Sequence, residues 1–238
     1  MSTLHDLERG AQRDLASLDY WARTRTAIIE RWVKSSGARD VVDVGCGSGY
    51  LCARLARDNR RVLGIDIDEQ SIAAADARDS RAVFICADVA TEQIDATFDL
   101  AICADVLEHF EDPTPAVNAL VDLLRPGGQL VVSVPNHPWL YGPHDANQDH
   151  ARRYSLSLLR QHLAPGFEYQ RHRYTNALPL PAYALMQKVV KRDVPSSTRG
   201  EHSPAVELLK SCAVHAETHV PWPFGITLLA QFEYNGSP

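Results

Sequence analysis

The sequence lacks the patterns of a structural zinc site and of a disulfide framework. Its five cysteines form no CxxC pair and no CxxC followed by HxxxH. Basic charge is also scarce, because 24 Lys and Arg against 30 Asp and Glu give a net charge of -6. Nucleic-acid binding depends mainly on Lys and Arg that neutralise phosphates, so this balance argues against nucleic acid and favours a small-molecule partner.

Long apolar runs are missing as well. No segment reaches the roughly 18 apolar residues that a membrane span needs, and the first residues show no basic stretch followed by an apolar one. We therefore expect no membrane span and a cytoplasmic location. A chain of 238 residues with 45% hydrophobic content can bury one core, so we expect a single domain over residues 1–238.

Short β-branched runs alternate with helical patterns through the middle of the chain, which is typical of βαβ units and a parallel sheet. Before the first run, apolar residues at helical spacing predict two helices between Leu4 and about Lys34, ending at residues 35–37. Ligands of such sheets bind at the carboxyl ends of the strands. The predicted strands are Val41–Val44, Val62–Ile65, Val83–Cys86, Leu100–Cys103 and Leu130–Val134.

The last third of the chain departs from this alternation. Two further strands, Phe167–Tyr174 and Gly225–Tyr234, are separated by a long segment with two helical candidates, Pro181–Lys191 and Pro204–Ala216. A connection of this length is usually functional, and the composition of residues 193–200 is typical of a flexible tip. We therefore interpret the segment as a lid over the binding site of a substrate. The predicted organisation is N-terminal helices (1–37), a ligand-binding core (38–176), a lid (177–222) and a last strand (223–238).

The most informative motif is DVGCGSG at residues 43–49, where a buried strand leads into a glycine-rich turn and then a helix. Glycines at alternate positions let the backbone approach a ligand, and the amide groups that begin the helix favour an anionic group. Tyr50 stands where a dinucleotide-binding G-x-G-x-x-G motif has its third glycine. The spacing is G-x-G-x-G, so a nicotinamide cofactor is disfavoured.

Two acidic residues close the second strand, Asp66 and Asp68. A carboxylate at this position can accept hydrogen bonds from both hydroxyl groups of a ribose, and Asp66 is the better candidate. Asp68 lies closer to the helix predicted near Glu69 and suits the role of its N-cap.

With these motifs the chain resembles class I S-adenosylmethionine (SAM)-dependent methyltransferases. Four blocks match in order: DVGCGSG, GIDID at residues 64–68, FICADV at 84–89, and FDL at 98–100 leading to an LRPGG turn at 124–128. The resemblance implies a Rossmann-like α/β fold with a seven-stranded sheet whose last strand is antiparallel. It also implies the contacts to the donor: Asp43, Gly45 and Gly47 at the methionine end, Asp66 at the ribose, Asp88 and Val89 at the adenine, Ala104 beside the sulfonium, and Ile67 as a further donor-binding residue.

The segment after the fourth strand, residues 104–113, resembles a block of ubiquinone-type O-methyltransferases and of Hen-family small-RNA 2′-O-methyltransferases. In those families a carboxylate and a following Glu-His pair help to bind a divalent metal, and Asp105 stands here in place of their first glutamate. The resemblance implies Asp105, Glu108 and His109 as ligands of a divalent ion such as Mg²⁺ or Mn²⁺. His150 follows the next strand and is expected to converge on them at the carboxyl edge, as a fourth ligand. The alternative is a metal-free pocket in which His109 or His150 acts as general base.

A later segment, HD at residues 144–145 and H-x-R-R-Y at 150–154, resembles a bacterial subgroup of these enzymes that also has a Tyr-Trp pair near the N-terminus. A planar guanidinium can bind a carboxylate or phosphate of an acceptor through two hydrogen bonds, which favours Arg152 and Arg153. The arginines could equally be solvated charges beside a helix capped by Ser155. The candidate acceptor residues are Tyr20, Trp21, Arg152, Arg153 and Tyr154.

These patterns predict a SAM-dependent methyltransferase that O-methylates a small hydroxylated metabolite, such as a sugar, a phenol or a natural-product intermediate. Two alternatives stay open. One is N-methylation of a small amine, for which a base matters less. The other is a catalytically inactive SAM-binding subunit that serves a partner. RNA methylation, which the Hen-like block allows, is disfavoured by the net charge of -6.

Overall fold

A computed structural model of the chain describes residues 20–78, 81–191 and 204–236. Seven strands form one sheet in the order β3-β2-β1-β4-β5-β7-β6. β1 to β5 pair in parallel, whereas β7 is antiparallel to both of its neighbours. The predicted fold class is confirmed. The strands are β1 (Asp40–Val44), β2 (Arg61–Asp66), β3 (Val83–Cys86), β4 (Phe98–Ala104), β5 (Leu124–Pro135), β6 (Phe167–Thr175) and β7 (Thr227–Tyr234).

Helices connect the strands and flank the sheet. The described ones are α1 (Tyr20–Ser36), α2 (Tyr50–Ala56), α3 (Glu69–Arg78), α4 (Thr114–Asp122), α5 (Pro143–Asn147), α6 (Leu156–Leu163), α7 (Leu180–Leu185) and α8 (Pro204–His219). α1 ends at Ser36 as predicted, while the helix expected before it and residues 193–200 lie outside the described part of the chain. Within that part, none of the helices combines the length and the apolar character needed to cross a membrane.

The alternation of side chains along β1 divides the core into two layers. All five residues of this strand are buried. Val42 and Val44 belong to a cluster that includes apolar residues of α4 and α6. Val41 belongs to a second cluster, which includes apolar residues of α1, α2 and α3. Because successive side chains of a strand point to opposite faces, the sheet lies between two helical layers.

The LRPGG segment differs from the turn that was predicted, because it lies within β5. The pairing of β5 with β4 shifts from Phe98 opposite Leu124 to Leu100 opposite Gln129, so residues 125–128 bulge out of the ladder. Gly127 permits this bulge with a φ of 79°. Arg125 in the bulge bonds to Asp99 and to Asp40, which ties β5 to the amino ends of β4 and β1.

The helices α7 and α8 occupy the interval between β6 and β7 where a helical insertion was predicted. Thr175 at the end of β6 pairs with Thr227 at the start of β7, which also pairs with Pro135 at the end of β5. The insertion therefore leaves and rejoins the sheet at the carboxyl edge of the parallel strands. α8 is fixed to α1, because the hydroxyl of Tyr20 donates to Glu217 over 3.0 Å. α7 and the π-helical turn that follows it, Met186–Val190, match the first helix predicted for this segment, and α8 matches the second.

The entry into β7 depends on a glycine. A Cβ at Gly225 would lie 2.2 Å from the carbonyl oxygen of Thr175. We predict that Gly225→Ala lowers the free energy of unfolding by about 3 kcal/mol, since the clash is with backbone and a side-chain movement cannot relieve it. Gly127→Ala is the matched control: φ is 79° but nothing lies within 4 Å of the added atom, so a loss of about 1 kcal/mol is expected. Urea unfolding followed by circular dichroism measures both, and equal losses would contradict the close approach.

Candidate functional site

The glycine-rich turn between β1 and α2 is held in a conformation that side chains would prevent. Gly45, Gly47 and Gly49 have φ values of 75°, 53° and 70°. A Cβ at Gly45 would lie 2.3 Å from the side chain of Val106, and one at Gly49 would lie 2.7 Å from the ring of Phe84. The turn thus needs glycine both for its backbone angles and for its close packing. At the carboxyl edge of β1 the turn therefore presents glycine backbone groups that no side chain of their own covers.

The carboxylate of Asp66 is oriented toward this turn from the end of β2. It accepts hydrogen bonds from the amide of Gly47 at 2.7 Å and from the amide of Asp68 at 2.9 Å. The neighbouring Ile67 is 69% exposed, which offers an apolar surface beside the turn. Asp68 accepts a hydrogen bond from the amide of Ser71 at 3.1 Å and so begins α3, as predicted for an N-cap.

The third strand ends in a loop that its own side chains shape. Asp88 accepts hydrogen bonds from the amide of Ala90 and from the hydroxyl of Thr91, both at 3.0 Å. Val89 is buried beside it. On the neighbouring side of β1, Ala104 is the last residue of β4 and is partly buried. The predicted adenine and sulfonium contacts therefore lie at the same carboxyl edge as Gly45 and Asp66, where the parallel strands end.

A single guanidinium, that of Arg25 on α1, lies near three carboxylates at this edge. It forms an ion pair with Asp105 and favours the charged forms of Asp43 and Glu108. Asp43 is 3% exposed, and its burial raises its pKa to about 7. Sequence reasoning missed Arg25. A signal existed, because Arg25 lies four residues after Trp21 and four before Ile29, on the apolar side of the predicted helix.

Glu108, His109 and His150 come together at the end of β4. One ligand-capable atom of each lies within 4.8 Å of those of the others. The two imidazole rings meet edge to face, with centroids 4.9 Å apart. The segment after α5 is brought there by its backbone, because the amide of Ala151 donates to the carbonyl oxygen of Glu108 at 2.7 Å. The segment after β4 and the segment after α5 thus converge on one small volume.

The carboxyl group of Glu108 is fully buried, and neither of its oxygens has a hydrogen-bond partner. Burial raises its pKa to about 8. Burial likewise lowers the pKa of His109, with a further contribution from the neighbouring His150. An unpaired carboxylate in such a place is unfavourable, so the site favours either a proton on Glu108 or a bound cation.

His150 is oriented by a residue that sequence reasoning also missed. Its Nδ1 lies 3.1 Å from the carboxylate of Asp145, which is fully buried and also accepts a 2.7 Å hydrogen bond from Arg153. Burial opposes ionisation of Asp145, but the hydrogen bonds from His150 and Arg153 lower its pKa. Because a carboxylate only accepts, Nδ1 of His150 carries the proton and Nε2 is left as the basic nitrogen.

Three predicted site residues have other roles in the structure. Asp105, expected as a metal ligand, lies outside the cluster of Glu108, His109 and His150, since it pairs with Arg25 and accepts a 2.8 Å hydrogen bond from Ser133. Arg153 and Tyr154 were expected to contact the acceptor, but the structure gives both residues partners inside the protein. Arg153 is 3% exposed and bonds to Asp145, and Tyr154 is fully buried with its hydroxyl 3.2 Å from the carbonyl oxygen of Leu107.

The remaining acceptor candidates lie at the rim and are partly exposed. Tyr20 bonds to Glu217 of α8, and burial raises its pKa. The ring of Trp21 lies edge-on to that of Tyr183 in α7, at a centroid distance of 5.8 Å. Arg152 donates to the carbonyl oxygen of Glu111. These contacts join α1 and the two inserted helices above the carboxyl edge.

Comparison with known proteins agrees with this arrangement. A family model described as "Methyltransferase domain" matches residues 42–132, which span β1 to β5 and the glycine-rich turn. Residues 42–132 thus match a methyltransferase domain, and the chain is similar to SAM-dependent methyltransferases over 66% of its length. Gly45, Asp66 and Ala104 at the carboxyl edge all lie within the matched range.

Two relatives and one solved structure illustrate the similarity. A Mycolicibacterium smegmatis protein named "Probable S-adenosylmethionine-dependent methyltransferase" is 33% identical over 160 residues, 66% of this chain and 62% of that protein. A ubiquinone biosynthesis O-methyltransferase of Xylella fastidiosa is 37% identical over 134 residues, 53% of this chain and 52% of its own. The methyltransferase domain of bacterial CtHen1-C shares the fold, with a TM-score of 0.61 at 15% identity, over 90% of this chain and 98% of that one. The chain thus spans less than two thirds of the length of these two relatives.

The raised pKa of Asp43 makes the stability of the methyltransferase domain depend on pH. Because the folded-state pKa of about 7 lies above the ordinary 3.8, the ionised carboxylate destabilises the fold increasingly from about pH 4 to pH 7. We predict that Asp43→Asn raises the free energy of unfolding of the ligand-free protein by about 3–4 kcal/mol at pH 8 and by much less at pH 4.

The control is Asp40→Asn on the same strand. Hydrogen bonds from Arg61 and Arg125 lower the pKa of Asp40, so this variant is expected to be less stable than the parent at pH 8. Urea unfolding at the two pH values measures both variants against the parent. A loss of stability in Asp43→Asn at pH 8 would show that Asp43 is not a destabilising charge.

Proposed function

We propose that this chain transfers the methyl group of SAM to a hydroxyl group of a small-molecule acceptor, with His150 taking up the proton. The observation that carries the proposal is the His150 imidazole, which Asp145 orients over a hydrogen bond of 3.1 Å close to the end of β4. SAM supplies a methyl group that is already activated for transfer. The protein therefore has to align the acceptor and remove its proton.

The residues of the carboxyl edge fit the donor along its whole length. The methionine end of SAM is a zwitterion, and Asp43 and Arg25 offer one negative and one positive group at the end of β1. Asp66 has its carboxylate fixed by the Gly47 amide at 2.7 Å, which leaves further lone pairs for the ribose hydroxyls. Ile67 and the loop after β3 offer apolar and polar surface for the adenine.

We assign proton removal to His150 because Asp145 holds one of its two ring nitrogens and leaves the other free to act as a base. Nδ1 is held by Asp145, whose carboxylate would also stabilise the imidazolium that forms when Nε2 takes the acceptor proton. The side chain of His150 is 12% exposed, so water has little access to it. A base of this kind serves an alcohol or phenol more than an amine. The O-methyltransferase name of the Xylella fastidiosa relative supports the same choice.

A divalent cation bound by Glu108, His109 and His150 is the second arrangement that a specific observation favours. Both oxygens of Glu108 are buried without partners, and ligand atoms of the three residues lie within 4.8 Å of one another. Metal-bound histidines commonly donate their other nitrogen to a carboxylate, as His150 does to Asp145. Such an ion, Mg²⁺ or Mn²⁺ in the simplest case, would supply positive charge that lowers the pKa of an acceptor hydroxyl.

The donor assignment predicts which parts of the ligand each residue recognises. Asp66→Ala should weaken binding of S-adenosylhomocysteine by about 1.5–3 kcal/mol, through loss of hydrogen bonds to a charged acceptor. Arg25→Gln should weaken the binding of S-adenosylhomocysteine by a similar amount. It should leave the binding of 5′-methylthioadenosine unchanged, because that ligand has no carboxylate. Arg23→Gln, two residues earlier on α1, is the control. Calorimetry measures all affinities, and an equal effect of Arg25→Gln on both ligands would reject its assignment.

The base assignment predicts a large loss of turnover without loss of donor binding. His150→Ala should lower methyl transfer to hydroxylated acceptors by about 10²–10⁴-fold, and Asp145→Asn should lower it in the same direction. His172→Ala on the exposed side of β6 is the control. The rate of methyl transfer is measured as the formation of S-adenosylhomocysteine when SAM is incubated with a panel of alcohols, phenols and amines. Methylation of amines alone would indicate N-methylation, and donor binding with no turnover on any acceptor would indicate a binding subunit.

Chelation separates the two arrangements of the site. After treatment with EDTA and removal of the chelator, a site that uses a cation should lose methyl transfer and regain it with Mg²⁺ or Mn²⁺. Glu108→Gln should then prevent the recovery while the protein still binds S-adenosylhomocysteine. Full activity of the chelated protein would reject the cation and leave His150 as the base.

A further inference from the structure

An exposed apolar surface lies beside the candidate site, and we call it the cap patch: Trp139, Tyr141, Leu178, Leu185 and Val189. Their exposed fractions are 56%, 39%, 49%, 54% and 70% in that order. Isolated apolar residues on a surface are common, but an aromatic and aliphatic group of this size usually has a partner.

The two segments that form the cap patch are joined by direct contacts. Lys188 donates to the carbonyl oxygen of Tyr141 at 2.8 Å, and the amide of His144 donates to the side chain of Gln187 at 3.1 Å. Beneath them, Leu140 and Tyr183 are buried in one small cluster. The segment after β5 therefore lies directly beside the π-helical turn that follows α7.

Helical spacing explains why the apolar side chains of the second segment are exposed. Tyr183 and Gln187, four residues apart, are buried against the rest of the molecule. Leu185 and Val189, each two residues after one of these buried side chains, are exposed on the outer side, and Lys188 is exposed beside them. This outer side is apolar although nothing in the described chain covers it.

The charged residues beside the cap patch are positive, whereas the net charge of the chain is negative. The sequence has 30 acidic residues, yet none lies in residues 134–144 or 175–191, which contain the whole patch. The charged groups of these two segments are Lys188 and Lys191, both exposed. Two segments that carry lysines and no carboxylates, in a chain with a net charge of -6, suit an anionic partner.

We propose that the cap patch docks onto an anionic lipid surface. Exposed Trp, Leu and Val side chains can enter the boundary between headgroups and acyl chains, where Trp and Tyr are favoured, while lysines bury their stems and keep their charge at the phosphates. Lysines beside an apolar face add attraction to anionic lipids. A second copy of the chain fits less well, because a symmetric pairing of this patch would place two lysines from each copy, and no carboxylate of these segments, in the same interface.

Docking would place the candidate site at the lipid surface. The hydroxyl of Tyr141 donates to the carbonyl oxygen of His150 at 2.8 Å, so the cap patch borders the proposed base directly. An acceptor dissolved in the bilayer could then reach the site without crossing water. The docking itself does not depend on the proposed function, since it concerns the outer side of the patch.

Vesicle flotation with the full chain tests the proposal. Vesicles of phosphatidylcholine containing about one third phosphatidylglycerol should carry the protein, vesicles of phosphatidylcholine alone should not, and high salt should release it. Leu185→Asp/Val189→Asp should reduce the bound fraction at least tenfold, and Lys191→Glu should reduce it several-fold. Binding of S-adenosylhomocysteine by each variant, measured by calorimetry, shows that it is folded.

Val83→Asp is the matched control, because Val83 is 63% exposed on β3 and lies outside the cap patch. It should bind anionic vesicles as the parent does. Absence of parental binding to anionic vesicles, or equal loss in the control, would overturn the proposal. So would a sedimentation experiment in which the parent is a dimer that Leu185→Asp/Val189→Asp converts to a monomer, with no vesicle binding, since the patch would then belong to a second copy.

Discussion

The hydrogen bonds of the buried Asp145 carboxylate are the interaction on which the candidate site depends. This carboxylate accepts from His150 at 3.1 Å, from Arg153 at 2.7 Å and from the amide of Gly142 at 3.0 Å. Arg153 in turn bonds to the hydroxyl of Tyr183 in α7. One ionised group therefore orients the proposed base, begins α5 and connects both to the inserted helix. A substitution there would disturb the base and the cap together.

Buried charge is distributed unevenly along the carboxyl edge. Asp43 and Glu108 both have raised pKa values because burial disfavours their charged forms, and the guanidinium of Arg25 is shared among several acidic groups. Such a site is electrostatically unsatisfied without its ligands. The ammonium of the donor beside Asp43, and a proton or cation at Glu108, would each restore neutrality.

The residues proposed to bind the donor follow from local sequence, whereas the arrangement of those proposed to act on the acceptor does not. Gly45, Gly47 and Asp66 are fixed by a strand, a turn and the next strand, so their relation follows from short segments. Arg25 lies in a helix before the sheet, and Asp145 lies after the fifth strand. Their partners are distant in sequence, and nothing in the spacing of residues 144–154 shows that Arg153 points inward to Asp145 and Tyr154 into the core.

By itself the sequence determined the parallel α/β architecture, the order of the strands along the chain, the glycine-rich turn and the acidic residue that closes β2, because periodicity and turn chemistry act over a few residues. Only the tertiary structure decided that Asp105 pairs with Arg25 instead of joining Glu108, His109 and His150. It also decided that α7 and the π-helical turn after it expose the apolar side chains of Leu185 and Val189. The reason is physical: a charged or apolar side chain takes the partner that packing brings within reach, and burial makes that choice decisive by removing water as the alternative.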